Sequence, residues 1–257
     1  MRTLVAILLF AICVASFALG AVGILFANDI TDKRYDPYTV RKTLYDNRAK
    51  MNALFILQDI AEDDKLDNLP DIDGMNILDL GCGTGIFAIA SSLMGASCSL
   101  GVDIDDESIA LAKITQNAVF EEHDIDNTNL NFIVGDINSF NSISDLLNES
   151  NIDKINNGWS SLNRFDTLIQ NPPFGSQEKG KRHADRKFME FAVDSADVIY
   201  SFHMKNTEEF VIDYYRDLGA EVTHKLVYKF PIPKIYDFHN EESREVKVIV
   251  LRVENFD

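Results

Sequence analysis

Cysteine is scarce in this chain, basic residues are outnumbered, and no internal repeat or low-complexity tract is visible. The three cysteines among 257 residues, Cys13, Cys82 and Cys98, are too few for a disulfide scaffold and lack the paired spacing of a zinc site. They are expected to be small buried hydrophobes in a reducing, intracellular setting. His183, His203 and His239 have no second His or Cys at ligand spacing, so no metal site is expected. The 24 basic residues face 41 acidic ones, a net charge of −17 that opposes non-specific binding to polyanions. Any nucleic-acid site must then be a local basic patch. The length suits one α/β domain with a short appendage and excludes two domains of ordinary size.

That appendage is apolar. No charged residue occurs from Thr3 to Ala27, a run longer than the roughly 20 residues needed to cross a bilayer. Residues 1–27 therefore read as a transmembrane anchor. Lys33, Arg34, Arg41, Lys42, Arg48 and Lys50 follow it whereas only Arg2 precedes it, so the positive-inside rule keeps the downstream domain in the cytoplasm. A signal peptide cleaved near Ala18 to Ala21, or a misassigned start codon, are the competing readings. Residues 28–52 form a polar, Tyr-rich linker, and 53–257 the catalytic domain.

Within that domain, short aliphatic runs alternate with helical patterns, the sequence form of βαβ units and a parallel sheet. Strands are predicted at Asn76–Leu80, Ser97–Val102, Asn131–Val134, Phe165–Gln170 and Val198–Phe202, and helices at Ile86–Leu93, Ser108–Glu122, Arg186–Ser195 and Thr207–Leu218. Another apolar-periodic stretch begins at Ala53–Ile60. Asp106 or Ser108 is the candidate cap of the second of those helices. Val222–Phe230 and Val246–Val253 alternate in strand fashion with no helix between them, which predicts an antiparallel hairpin closing the sheet edge. Asn138–Asn163, rich in Asn, Ser and Asp, reads as an insertion before the fourth strand.

Asp79-Leu80-Gly81-Cys82-Gly83-Thr84-Gly85 follows the first strand and opens a helix, and its glycines allow a sharp turn and close approach to a ligand. Such a loop also suits a dinucleotide, whose pyrophosphate sits on a helix N-terminus. The spacing differs from G-x-G-x-x-G, however. Its D-x-G-x-G-x-G form resembles motif I of class I methyltransferases, in which the acidic residue approaches the methionyl amino group of S-adenosylmethionine. Asp103 ends the second strand about 20 residues downstream, where a carboxylate accepts ribose hydroxyls. Asp136 follows the third, where that class contacts the adenine amino group. Thr84 and Ile86, opening the helix, complete the candidate cofactor set. Strand-end caps and turns also favour Asp, which is the blander account of each carboxylate taken singly.

After the fourth strand come Asn171-Pro172-Pro173-Phe174. Two prolines fix an extended backbone that offers no amide donor. The Asn171 side-chain oxygen and the Pro172 carbonyl can each accept a hydrogen bond from an exocyclic NH2, and Phe174 supplies a stacking face. The motif resembles the Asn-Pro-Pro-aromatic signature of amino methyltransferases, which act on adenine, guanine or a glutamine amide.

With Ala184-Asp185, Lys187-Phe188-Met189, Val198 to His203 and the segment from Phe230 to His239, the chain resembles, from Ala53 to Val253, the methyltransferase-like-five group of rRNA adenine methyltransferases and its archaeal relatives. The resemblance implies a Rossmann-like class I fold, a mostly parallel seven-stranded sheet with a C-terminal antiparallel hairpin. It implies N6-methylation of adenine in small-subunit ribosomal RNA, contact of His239 with substrate, and, for eukaryotic members, a small zinc-binding activator subunit. The chain departs from the group in its apolar N-terminus, in Leu44-Tyr45-Asp46-Asn47, and in Asn240-Glu241-Glu242, where the group has a basic run. Those carboxylates repel phosphate, so RNA contact must come from elsewhere. Lys179, Lys181, Arg182, Arg186 and Lys187, next to the Asn-Pro-Pro motif, are the candidate grip, against the plainer reading of a solvated loop. Other amino acceptors (DNA adenine, guanine N2, protein glutamine) and a non-catalytic membrane-tethered binding protein are the alternatives.

Overall fold

Runs such as Asn-Ile-Leu-Asp-Leu and Phe-Asp-Thr-Leu-Ile-Gln are buried nearly throughout because both faces of their strands are covered. A computed structural model of the chain describes residues 71–123, 129–149, 162–172 and 184–255. Its strands are β1 (Asn76–Leu80), β2 (Cys98–Asp103), β3 (Leu130–Val134), β4 (Phe165–Gln170), β5 (Ala196–Met204), β6 (Ala220–Pro233) and β7 (Ser243–Asn255). The helices are α1 (Ile86–Leu93), α2 (Asp106–His123), α3 (Ile143–Glu149), α4 (Ala184–Ser195) and α5 (Glu208–Asp217), the last preceded by a 3₁₀ turn at Lys205–Thr207.

The strands form one sheet in the order β3-β2-β1-β4-β5-β7-β6. β1 to β5 run parallel, whereas β7 is antiparallel to both β5 and β6. This is the expected mostly parallel seven-stranded sheet with its antiparallel hairpin. The order reverses between β1 and β4, and in open α/β sheets ligands bind outside the carboxyl ends of strands at such a switch point.

Each face buries its own core. On one, Ile77, Ile169 and Tyr200 pack with Phe87 of α1 and Phe120 of α2. On the other, Leu78, Leu168, Ile199 and Ile249 pack with Leu146 of α3, Met189 of α4 and Val211 of α5. α1 is buried along almost its whole length, so it works as core rather than as an amphipathic cover.

The structure corrects several expected boundaries. Asp105, not Asp106 or Ser108, caps α2: its carboxylate accepts from Glu107 N–H at 3.3 Å and from the Ser108 hydroxyl at 2.6 Å, and its carbonyl from Ile109 N–H. Its adjacency to Asp103 hid that role in a run of acidic residues. The segment expected to be a plain insertion contains α3, seated by Leu146. The hairpin strands are longer than their alternating cores because cross-strand pairing continues to Pro233↔Ser243. Cys82 is buried, whereas Cys98 is half-buried and donates to Asn76 Oδ1.

The apolar segment 1–27, the linker 28–52 and the helical stretch Ala53–Ile60 lie outside the described residues. Among the described residues no helix is long and apolar enough to cross a membrane.

Candidate active site

The register of β1 against β4 sets the site. Leu80 pairs with Gln170, so the next residues, Gly81 and Asn171, leave neighbouring strands side by side, about 4.8 Å apart in the ladder direction. Leu80 also pairs with Val102, and Asp103 with Val134. The ends of β1, β2, β3 and β4 thus open on one crevice, bringing together Gly81, Asp103, Asp136 and Asn171. Asn171 is half-buried and Pro172 buried.

The glycine loop turns over the end of β2. Gly81 N–H and Cys82 N–H both donate to the Val102 carbonyl, at 2.8 and 2.9 Å. Gly81 has φ 71° and Gly85, the N-cap of α1, has φ 79°, a region that side chains with a Cβ rarely adopt. Space forbids a side chain at Gly85 and crowds one at Gly81. A Cβ on Gly85 would lie 2.4 Å from the Phe132 ring, and one on Gly81 would meet Phe188 of α4 at 3.1 Å. Thr84 and Ile86 are buried in this turn.

The three carboxylates differ in what they already hold. Asp79 is 1 % exposed, and its Oδ2 accepts from Ala88 N–H at 3.1 Å, capping the first turn of α1 from the end of β1. Asp103 reaches back to the loop: Oδ2 accepts from Gly83 N–H at 2.6 Å and Oδ1 from Asp105 N–H at 3.0 Å. A carboxylate offers about four lone-pair sites, so each oxygen retains one for a further donor such as a ribose hydroxyl. Asp136 holds its own turn, Oδ1 accepting from the backbone and side-chain nitrogens of Asn138 at 2.9 and 2.8 Å. These bonds make the crevice rigid, and they leave open acceptor capacity where a cofactor would lie.

Below Asn171 the support is polar. Gln170 Nε2 donates to Ser201 Oγ and to Tyr215 Oη, both at 3.0 Å, and Ser201 Oγ and His203 Nε2 share a hydrogen bond of 2.6 Å. All four side chains are buried. Burial pushes the His203 imidazole down to about 4 and the Tyr215 phenol up, so both are neutral near pH 7. The network ties β4 to β5 and α5 one residue before Asn171. His203 is thereby a structural group. Among the described residues no three His, Cys, Asp or Glu side chains gather as a metal site.

Sequence reasoning missed two residues here. Ile104 is 65 % exposed immediately after Asp103, an apolar side chain left in water at the cofactor edge; the signal was an isoleucine between two aspartates. Phe188 links the helix after the acceptor loop to the cofactor loop, a contact that no local pattern announces. Pro173, Phe174, Lys179, Lys181, Arg182, His183 and His239 lie outside the described residues.

Known proteins are similar to this chain. An uncharacterized protein of Methanocaldococcus jannaschii is 39% identical over 180 residues, 69% of this chain and 73% of that protein. The rRNA N(6)-adenosine-methyltransferase Mettl5 of Drosophila melanogaster is 28% identical over 185 residues, 72% of this chain and 76% of its own length. A crystal structure from Pyrococcus horikoshii, of a protein proposed to be an RNA methyltransferase, superposes with a TM-score of 0.58 at 29% identity, covering 80% of this chain and 84% of that one. The model of the Methyltransferase domain family matches residues 71–216. That span contains every strand end of the crevice, and the chain belongs to the Methyltransferase domain family.

Proposed function

We propose that this chain methylates the exocyclic N6 amino group of an adenosine in RNA, with ribosomal RNA as substrate. One observation carries the reading: the Leu80↔Gln170 register sets the glycine loop and the Asn171-Pro172 turn on adjacent strand ends. The rRNA N(6)-adenosine activity of the Drosophila relative and the Asn-Pro-Pro-Phe sequence support adenine as the acceptor.

The methyl donor is S-adenosylmethionine, whose sulfonium supplies an already activated methyl group. Gly81 and Gly83 let the backbone approach it, Asp103 accepts the ribose hydroxyls through its remaining lone pairs, and Asp136 faces the adenine end. Ile104 offers an apolar surface to that base. On the acceptor side, the Asn171 side-chain oxygen and the Pro172 carbonyl take the two amine hydrogens, which aims the nitrogen lone pair at the methyl carbon. Phe174 stacks on the adenine. The work is positioning, so no base of shifted pKa is required. The amine gives up its proton to water after transfer, and the thioether leaves as a neutral product.

Purified protein incubated with labelled S-adenosylmethionine and ribosomal RNA should yield N6-methyladenosine on nucleoside mass spectrometry. Label appearing instead in methylguanosine, or unlabelled RNA in parallel with labelled DNA or glutamine when those are offered, would transfer the same geometry to another acceptor and overturn the RNA-adenosine assignment.

A further inference from the structure

Gln170 closes β4, and it is the last residue there to pair on both sides, with Leu80 of β1 and with Ser201 of β5. The ladder stops one residue short of Asn171. From the other side Pro172 confines Asn171 to extended backbone, since a proline disfavours the helical region in the residue before it. The direction in which the turn leaves the sheet therefore depends on how firmly position 170 is held.

Its side chain supplies that hold. Gln170 is 0 % exposed, and strand alternation puts it on the face of Leu168, where α4 and α5 pack. Its two amide hydrogens go to different elements, one to Ser201 Oγ on β5 and one to Tyr215 Oη on α5, each at 3.0 Å. Ser201 is bonded in turn to His203, and the Tyr215 ring meets the His203 ring edge-on with centroids 6.4 Å apart. A strand end is thus pinned to the next strand and to a helix, directly before the turn.

The same amide is costly. Its Oε1 is buried, and nothing among the described residues donates to it. A buried acceptor without a donor carries its desolvation penalty in full, which offsets what the two donated bonds contribute to folding. Most buried polar groups are satisfied, so an exception adjoining Asn171 calls for a role other than stability.

We propose that Gln170 is a positioning residue, whose amide, held by Ser201 and Tyr215, sets the direction in which Asn171 presents its oxygen to the target amine. The inference rests on the methyl-transfer reading above and adds a residue that does not touch the substrate.

The test uses the full-length protein with saturating S-adenosylmethionine and ribosomal RNA. Single-turnover kinetics give the rate of transfer and steady-state kinetics the KM for RNA. Calorimetry gives the cofactor Kd and the fraction of protein that binds it. Gln170→Met keeps the length of the side chain and removes the amide. It should lower the rate about tenfold or more, with KM and Kd within about threefold of wild type and a melting temperature close to it. Tyr215→Phe withdraws one of the two acceptors and should lower the rate by about threefold. Because Gln170 acts through Asn171, adding Gln170→Met to Asn171→Ala should slow that variant by less than about twofold. Ser195→Ala removes another buried side-chain oxygen without a partner, at the opposite edge of the sheet, and should match wild type.

Wild type that methylates no nucleotide of the RNA would defeat the proposed function and this inference with it. Wild type that methylates, with either Gln170→Met or Tyr215→Phe equal to it in rate, overturns the positioning role alone. The same holds for a Gln170→Met that melts far lower and loses cofactor binding, which would make the amide part of the fold. It holds equally for a loss as large on Asn171→Ala as on wild type.

Discussion

The two sides of the switch point are built from different materials. On the cofactor side, β1 and β2 reach the crevice over apolar packing, with the Phe132 ring filling the space that side chains at Gly85 and Gly101 would need. On the acceptor side, β4, β5 and β7 are held by buried polar groups. The Gln170, Ser201, Tyr215 and His203 chain lies on one face, and Arg252 with Asp71 and Tyr200 on the other. Apolar packing fixes volume, which is what a loop cradling a cofactor needs. Hydrogen bonds fix direction, and an acceptor that must aim a lone pair depends on direction.

The largest effect should come from crossing one variant from each side. Asn171→Ala removes one of two amine acceptors and should lower kcat by about a thousandfold, leaving the Kd for S-adenosylmethionine within about twofold of wild type. Asp103→Ala removes charge-assisted acceptors and the tether to Gly83 N–H, so the cofactor Kd should rise about 10- to 100-fold. Calorimetry and single-turnover kinetics read the two separately. Loss of cofactor binding in both variants would erase the division.

Next in size is the ionic clamp. Arg252 is 3 % exposed, holds both oxygens of Asp71 at 2.7 and 3.1 Å, and also contacts Glu254 and Thr223. Tyr200 and Thr167 add bonds to Asp71, so the residues before β1 are anchored across β4, β5 and β7. Arg252→Met strands a carboxylate against the sheet and should cost about 3 kcal/mol or more in urea unfolding. A loss near zero would mean that the clamp's desolvation offsets its attraction.

Gly101→Ala probes the apolar side and should cost about 1–3 kcal/mol. Its Cβ would sit 2.4 Å from the Phe132 ring and 3.0 Å from Cys82 Sγ. Phe132→Leu in the same chain should recover part of the loss. If it recovers none, the steric account of this side fails.

Much of the cofactor side was legible because its signals are local. A glycine loop after an aliphatic run, and Asp103 at the end of the next, carry their own geometry. The carboxylate of Asp79 could be placed but its helix-capping bond could not, since a strand-end Asp reads alike in either role. Asn171 and Pro172 were found by motif, whereas the network beneath them joins residues 31 and 45 positions apart and leaves no periodic trace. The Phe188–Gly81 contact depends on how α4 packs, and the length of the β6–β7 hairpin on register, which is visible only once strands pair. α3 was missed because one short apolar turn among Asn, Ser and Asp looks like a loop.

The smallest effect near neutrality, and the one that most sharply separates the two sides, is the pH response of His203. Its folded value, about 4, lies below the ordinary unfolded value of about 6.5 because burial disfavours the imidazolium. Above pH 6.5 neither state is protonated and the group is neutral to stability. As pH falls from 6.5 toward 4, the unfolded chain binds a proton that the folded chain refuses, so stability drops by about 1.4 kcal/mol per pH unit. Protonation would place a charge against Ser201, Gln170 and Tyr215 with no carboxylate among them to receive it. His203→Gln should be less stable than wild type at pH 7.5, where it loses the hydrogen bond shared with Ser201, but it lacks this proton linkage. The gap between the two in urea unfolding should therefore narrow steadily from pH 6.5 to 4.5. A gap that stays constant over that window would show that the imidazole titrates normally in the fold, and that the acceptor side is not the dry polar scaffold described here.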